Sequence, residues 1–400
     1  MELYILLVKF SFMEEWKTYK IGEICESISD TYKGKAPNVV LVNTSDVYDG
    51  VCLNHAYVPN KDLKGQFKKT FKRNDILYSE IRPANRRFAF IDFEPENYIA
   101  STKLMVIRCS KIVRPRYLYH YLKRQEMLLE LQALAESRSG TFPQITFSEL
   151  ALFEINLPNL ATQDKIVAMI DCFDNKIAIN NRINHNLEEQ AKALYKSWFV
   201  DFEPFNGHFP DSWEMGVLSD ILSLKRDTIR KEQVSDLPYL PIDLIPMHSF
   251  TIDNFADNSE AQSSLQVFLR NDILIGAMRV YFHRVVPAPC QGVTRNTCFV
   301  LRPVTNNIFG YALMTCNQDS TIAYAQRTSK GSTMPYAVWD GALANMNVII
   351  PDEDTAKRFN GVVKNLIEKI QNNSANNFRL RSLRDAILPK LMSGELSLIS

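Results

Sequence analysis

Residues 163–205 read QDKIVAMIDCFDNKIAINNRINHNLEEQAKALYKSWFVDFEPF. From 163 to 200 this stretch holds neither Gly nor Pro, and Pro204 stops the pattern. A 4-3 spacing selects Ile166, Ile170, Phe173, Ile177, Asn180, Asn184, Leu187, Ala191, Leu194 and Trp198. Shifting by 193 gives Phe359, Val363, Leu366, Ile370, Asn373, Asn377, Leu380, Arg384, Ile387 and Leu391. Eight of the ten pairs keep their character, and both Asn pairs fall at the same phase. That is a heptad seam with a polar layer in its middle, the layer fixing register at a cost in stability. Two such helices are expected to pack on each other as a coiled coil. At about 1.5 Å per residue, some 35 helical residues span on the order of 50 Å, the length of a spacer between two globular heads.

Working outward, the heads repeat as well. WKTYKIGEI begins at Trp16 and WEMGVLSDI at Trp213, an offset of about 197, and NDIL at Asn74 to Leu77 recurs at Asn271 to Leu274. Farther on the offset falls to about 193, where FEINLP and NVIIP each close an apolar stretch. Period-2 or continuous apolar runs predict strands at Ile76 to Tyr78, Phe88 to Ile91, Leu104 to Arg108, Ile273 to Ile275 and Cys298 to Leu301. FEPFNGHFPDSW (202–213) is a linker, since its prolines stop helix and strand alike. The expected fold is α+β: two similar α/β domains separated by two long helices. The expected boundaries are an extension at 1–13, domain 1 at 14–160, the central helix at 161–203, domain 2 with its leading linker at 204–352, and the C-terminal helix at 353–400.

The chain has 400 residues, 46% hydrophobic and 23% charged, enough for two or three domains with real cores. Lys plus Arg is 46 against 45 Asp plus Glu, which excludes a uniformly basic coat but not a local basic face. Seven cysteines without a CxxC pair point to a reducing compartment, and the expected location is the cytoplasm. MELYILLVKFSF, residues 1–12, is too short to span a bilayer and lacks the features of a signal peptide. It reads as an extension upstream of a start at Met13, or as a short added edge strand.

Chemistry-bearing motifs are missing. There is no GxxxxGK[ST] loop, no GxGxxG after a strand, no HExxH and no GxSxG, so neither a metal centre nor a catalytic site is expected. The NPPF/DPPY-type motif and glycine-rich cofactor loop of an adenine methyltransferase are absent too. A binding role fits better than catalysis.

Charge is uneven along the chain. KDLKGQFKKTFKR at 61–73 carries Lys68, Lys69 and Arg73, and IRPANRRFAF follows with Arg82, Asn85, Arg86 and Arg87. Near the matching point of the second half, MRVYFHRVV holds Arg279, Tyr281 and Arg284, followed by Gln291 and Arg295. The loops SRSGTFPQI (137–145) and SKGSTMPYA (329–337) also match, offering Arg138, Thr141 and Gln144 in one and Lys330 and Ser332 in the other. Arg and Lys neutralise phosphates, and Arg, Asn and Gln present paired hydrogen-bond groups to purine edges. These are the candidate DNA-binding residues. A lysine run is more often a solvated face, and loops of this composition are also found as ordinary turns.

The central stretch 163–205, the distal LRSLRDAILPKLMSGEL (380–396) and the loops ending TFPQI and TMPYA resemble the DNA-specificity subunit of Type I restriction–modification enzymes. The resemblance covers residues 13–400. It implies two target-recognition domains, each reading one half of a split, asymmetric duplex site. It implies an antiparallel helical spacer docking two methyltransferase subunits, with motor–nuclease subunits added for restriction. It further implies S-adenosylmethionine, ATP and Mg for those partners, with no cofactor and no catalysis in this chain. Lys165, Lys176, Arg182, Glu189, Lys357, Lys364 and Arg379 are the charged residues expected on the exposed docking faces. The chain departs from the family pattern in its extra first twelve residues and in Ala161-Thr162-Gln163, which leads into the first helix. The competing readings are a duplicated scaffold that binds only proteins, and a self-sufficient modification enzyme.

Overall fold

The computed structural model describes residues 16–61, 65–137, 143–230, 234, 237–261 and 265–396. The expected extension at the N-terminus, Arg138 and Thr141 lie outside them. The chain forms two compact units, residues 1–174 with 382–400, and residues 175–381. Among the described residues no helix is long and apolar enough to cross a membrane.

In the first unit the continuous apolar runs become buried strands. Cys25–Ile28, Leu104–Cys109, Ile76–Ser79 and Phe88–Phe90 form an antiparallel sheet in that order. A second four-stranded sheet runs Tyr57–Pro59, Asn38–Val42, Tyr98–Ser101, Phe67–Lys69, with a parallel pair at its centre. The helices Pro115–Leu122 and Gln125–Glu136 pack their apolar faces into the core that contains Ile76, Tyr78, Met105 and Ile107. Lys17–Lys20 pairs with Glu154–Leu157 and brings the two ends of this region together.

The second unit repeats the plan. Leu222–Lys225, Cys298–Pro303, Ile273–Gly276 and Val285–Pro287 make the antiparallel sheet. Glu214–Val217 pairs with Asn347–Ile350, and the helices are Phe309–Cys316 and Asp319–Arg327. The repeated NDIL is duplicated in detail. Asn74 and Asn271 both turn the chain in the left-handed region, at φ 70° and 69°. The next residue, Asp75 or Asp272, is 1% exposed. Asp75 accepts two hydrogen bonds from Arg108 (2.8 and 2.6 Å), and Asp272 two from Arg302 (2.7 and 2.8 Å). Each forked pair keeps a buried carboxylate satisfied at the start of the central strand.

The two long helices are Leu160–Phe199 and Glu353–Ser393. The first starts one residue before the expected position, where the Asn159 side chain caps the Thr162 N–H at 3.0 Å. Gln163, fully buried, anchors that start by donating to the Pro158 and Ile112 carbonyls and accepting from the Arg114 N–H. The helix ends before Pro204 is reached. Val200 and Asp201 both bond back to the Lys196 carbonyl, and Phe202 turns left-handed at φ 55°. The C-terminal helix accommodates Pro389 near its end.

Within the second unit the helices run antiparallel. Asn180 Nδ2 donates to Asn377 Oδ1 and Asn373 Nδ2 to Asn184 Oδ1, each at 2.8 Å, while Trp198 meets Phe359 at 5.6 Å between ring centres. Ile177 is buried; Phe359, Val363 and Ile370 are buried in one core, against which Leu187, Leu194 and Leu366 pack half-buried. Leu380 is half-buried. In the first unit Ile166 and Ile170 are buried in one cluster with Leu388 and Leu391, with Ile387 packed beside them. Phe173 is half-buried there, and Arg384, in the seam phase, meets Asp174 at 2.5 Å.

Candidate nucleic-acid interface

At the far end of each central strand the backbone makes an uncommon loop. In the first unit Arg82 (φ 46°) and Arg86 (φ 56°) are left-handed and flank a 3₁₀ turn, Pro83–Asn85. In the second, Arg279 (φ 48°) and His283 (φ 51°) flank Val280–Phe282. Left-handed non-glycine residues are strained and persist only where their surroundings over-determine them. Here the same set of bonds does so twice. The Arg82 N–H donates to the Pro143 carbonyl at 3.1 Å and the Arg279 N–H to the Pro335 carbonyl at 2.8 Å. Glu80 and Ala277 each donate backbone N–H to the following hairpin, at Lys103 O (3.0 Å) and Thr297 O (2.8 Å). Their carbonyls accept from the Ile145 and Ala337 N–H groups, both at 2.8 Å. Bridges join Ile81 to Gln144 and Met278 to Tyr336. Residues 143–145 and 335–337 thus dock against the arginine-bearing loops in the same way in both units.

Three of the arginines tie neighbouring segments together. Arg87 donates to the Ser45 carbonyl at 3.0 Å, and its repeat mate Arg284 donates to the Ile242 and Asp243 carbonyls, at 2.7 and 3.1 Å, and to that of Ile245. Arg86 grips Asp49 through two bonds, 3.0 and 2.6 Å, and lies over the Phe88 ring. These three side chains hold neighbouring segments in place. Arg82, Asn85, Arg279, Tyr281, Gln291, Lys330 and Ser332 are exposed. Lys68 is exposed on its strand, whereas Lys69 reaches inward to the Leu104 carbonyl at 2.8 Å, with burial lowering its pKa. Arg73, well exposed, lies 3.8 Å from Glu94. Arg295 is half-buried, its Nε without a partner among the described residues.

Sequence reasoning missed Glu80, Lys103 and Tyr336. Gln144 Oε1 accepts from Lys103 Nζ at 2.9 Å, and that ammonium lies 3.5 Å from Glu80. Tyr336, 47% exposed, occupies the place of Gln144 in the second unit. For Tyr336 the signal was available: like Gln144, it directly follows the proline of its matched loop.

One cluster among the described residues has metal-ligand chemistry, His120 with Asp171 and Asp174. Its carboxylates are already neutralised. Asp171 accepts from Arg116 (3.0 Å) and lies 2.8 Å from His120 Nε2, and Asp174 takes Lys123 (2.6 Å) and Arg384 (2.5 Å). Burial would raise the Asp174 pKa, but Lys123 and Arg384 hold it down to about 2. With three cations in place the cluster is an ion-pair network of the first unit. Of the charged residues expected on the helix faces, Lys165, Lys176, Arg182, Glu189, Lys357 and Arg379 are exposed and Lys364 is half-buried.

Comparison with known proteins agrees with this architecture. Residues 13–189 match the family described as the Type I restriction modification DNA specificity domain. The chain is 30% identical to the Type I restriction enzyme HindI specificity subunit of Haemophilus influenzae, over 96% of this chain and all of that one. It is 27% identical to the Type I restriction enzyme MjaIX specificity subunit of Methanocaldococcus jannaschii, over 70% of this chain and 68% of that one. The fold resembles the crystal structure of the Type I restriction–modification S subunit from M. genitalium, with a TM-score of 0.58, 14% identity, and 98% and 99% of the two chains covered. The chain belongs to the specificity subunits of Type I restriction enzymes. Subunits of this kind recognise DNA sequence within a restriction–modification complex and carry no catalysis of their own.

Proposed function

We propose that the two units each read one half of a split, asymmetric site in duplex DNA. The paired loops, Arg82–Arg86 with Pro143–Gln144 and Arg279–His283 with Pro335–Tyr336, are the reading elements. The observation that carries this is the duplication itself: one strained backbone, locked by the same bonds, displays Asn85 and Gln144 in one unit and Tyr281 and Tyr336 in the other. Equal scaffolds with unequal side chains suit two different half-sites. The exposed basic residues Lys68, Arg73, Arg82, Arg279 and Lys330 supply phosphate contacts, which position the duplex without specifying its sequence.

In this reading the antiparallel helices, register-locked by their Asn layer, set the number of base pairs between half-sites. Their exposed faces dock two methyltransferase subunits that bind S-adenosylmethionine and flip the target adenine. Motor–nuclease subunits, using ATP and Mg, add cleavage. The domain division follows the same scheme, with residues 14–160 and 204–352 as recognition domains and 161–203 and 353–400 as spacer helices. The complex works in the cytoplasm, where its DNA is.

The test is adenine-methylation mapping in a host carrying this chain with its neighbouring methyltransferase, against a host lacking only this chain. A bipartite, non-palindromic methylated motif that vanishes with the chain is expected. An unchanged methylome, with the complex assembled, would favour a protein-binding scaffold.

A further inference from the structure

We propose that Lys103 is a positioning residue that restricts Gln144 to one hydrogen-bonding sense, so that the first unit reads a guanine at the base facing Gln144. This rests on the loop pairing above being the reading element.

A glutamine side chain has an acceptor and two donors, and that combination suits adenine, whose N7 accepts and whose N6 donates. Gln144 does not have both equally available: its oxygen has two lone pairs, but the cation that takes one of them opposes the approach of a further donor such as adenine N6. Its Oε1 accepts from Lys103 Nζ at 2.9 Å. An ammonium has only donors, so the oxygen, not the nitrogen, must face Lys103. Glu80 keeps that ammonium in place from 3.5 Å, and the Glu80 backbone is bonded on one side to Lys103 and on the other to Ile145. The bridge to Ile81 fixes the Gln144 backbone beside the strained loop. What remains is the Gln144 amide nitrogen, which has no partner among the described residues. A donor-only group matches an edge with acceptors only. Guanine offers two, N7 and O6, whereas thymine offers O4 alone beside its methyl group, cytosine presents a donor and adenine a donor beside its single acceptor.

The second unit lacks this device. Ala277 and Thr297 stand where Glu80 and Lys103 do, and Tyr336 replaces Gln144. A substitution at Lys103 should therefore alter one base of one half-site and leave the other half-site as an internal control for folding and assembly.

The experiment uses the whole chain with its methyltransferase partner and maps the methylated motif for the wild type and for Gln144→Leu, Lys103→Met and Lys103→Arg. With Lys103→Met the Gln144 oxygen is released. One guanine position in one half-site is then expected to become guanine or adenine, with discrimination falling about ten- to hundred-fold. Lys103→Arg keeps a donor-only partner and should keep the guanine, and Gln144→Leu should make that position indifferent. If Lys103→Met methylates only the wild-type motif, or if Gln144→Leu changes no base, the proposal is wrong even though the recognition role stands. If no motif depends on the chain at all, the recognition role itself fails.

Discussion

Asn180 donates to Asn377 at 2.8 Å, and the internal repeat carries this pair, donor onto donor, onto Asn373 and Asn184, which bond at the same distance. The shift of 193 that relates the helices in sequence thus also exchanges them in their packing. Asn377 is fully buried and additionally donates to Asn181 at 2.7 Å. A slip along the seam would place these amides against apolar side chains, which is how a polar layer fixes register.

Asn377→Leu leaves Asn180 and Asn181 without their partner and should cost about 1–3 kcal/mol. The double change Asn180→Leu/Asn377→Leu removes both sides of the bond and should cost less than the sum of the single changes. Urea denaturation in a double-mutant cycle measures this, and strictly additive costs would refute the coupling.

Glu188, 3% exposed on the central helix, accepts from the Ser249 hydroxyl and the Phe250 N–H, both at 2.8 Å, and from the Thr251 hydroxyl at 3.2 Å. Glu188→Ala orphans three donors and is expected to lower stability by about 1–3 kcal/mol. Glu188→Gln, which keeps an acceptor, should lose less. Hydrogen exchange at the Phe250 amide gives the local reading: unchanged protection in Glu188→Ala would argue against the clamp.

Arg284→Ala should act on folding before it acts on DNA, because its guanidinium is committed to the carbonyls of Ile242, Asp243 and Ile245. The expected loss is about 1–3 kcal/mol in unfolding free energy. Arg279→Ala, at an exposed side chain, should leave the unfolding midpoint within about 0.5 kcal/mol while weakening DNA binding. Denaturation and salt-dependent DNA retention on the same variants separate the two. Full stability in Arg284→Ala would show that its carbonyl bonds contribute nothing.

Acid should destabilise the first unit through His120. Burial lowers its pKa from 6.5 to about 4, with the Asp171 bond only partly offsetting this. Between those values the unfolded chain binds a proton that the folded chain refuses, so stability falls as pH drops from about 6.5 to about 4. His283 is shifted the same way, by burial and then by His248. Asp174, held at about 2, acts lower: its contribution is present above 3.8 and disappears as pH falls toward 2. The urea midpoint should therefore decrease between pH 7 and pH 5, and less steeply in His120→Gln. Equal decreases in both proteins would remove His120 from the explanation.

Much of this was written in local patterns. The 4-3 spacing and the matched Asn phase revealed the helices, and the repeated NDIL marked equivalent strands because the strand and its Asn turn are local chemistry. Partnership was not legible. Nothing near Arg284 in sequence announces the carbonyls of 242–245, and nothing near Arg384 announces Asp174, 210 residues away. A basic cluster tells how many cations a segment has, not how many the fold has already engaged. The same limit hid Lys103, whose meaning depends on a loop 41 residues later.

The first unit takes in residues 382–400, so its apolar cluster closes only when Leu388, Leu391 and Met392 arrive against Ile166 and Ile170. A chain emerging from the ribosome must make the whole second unit before it can finish the first. During that interval the early helix carries an uncovered apolar stripe and Asp174 lacks Arg384. Such long-range closure is slow and leaves aggregation-prone surface in the waiting intermediate. The order of synthesis therefore assigns the turns around Leu388, Leu391 and Met392, made after the second unit, the role of sealing a unit begun before it.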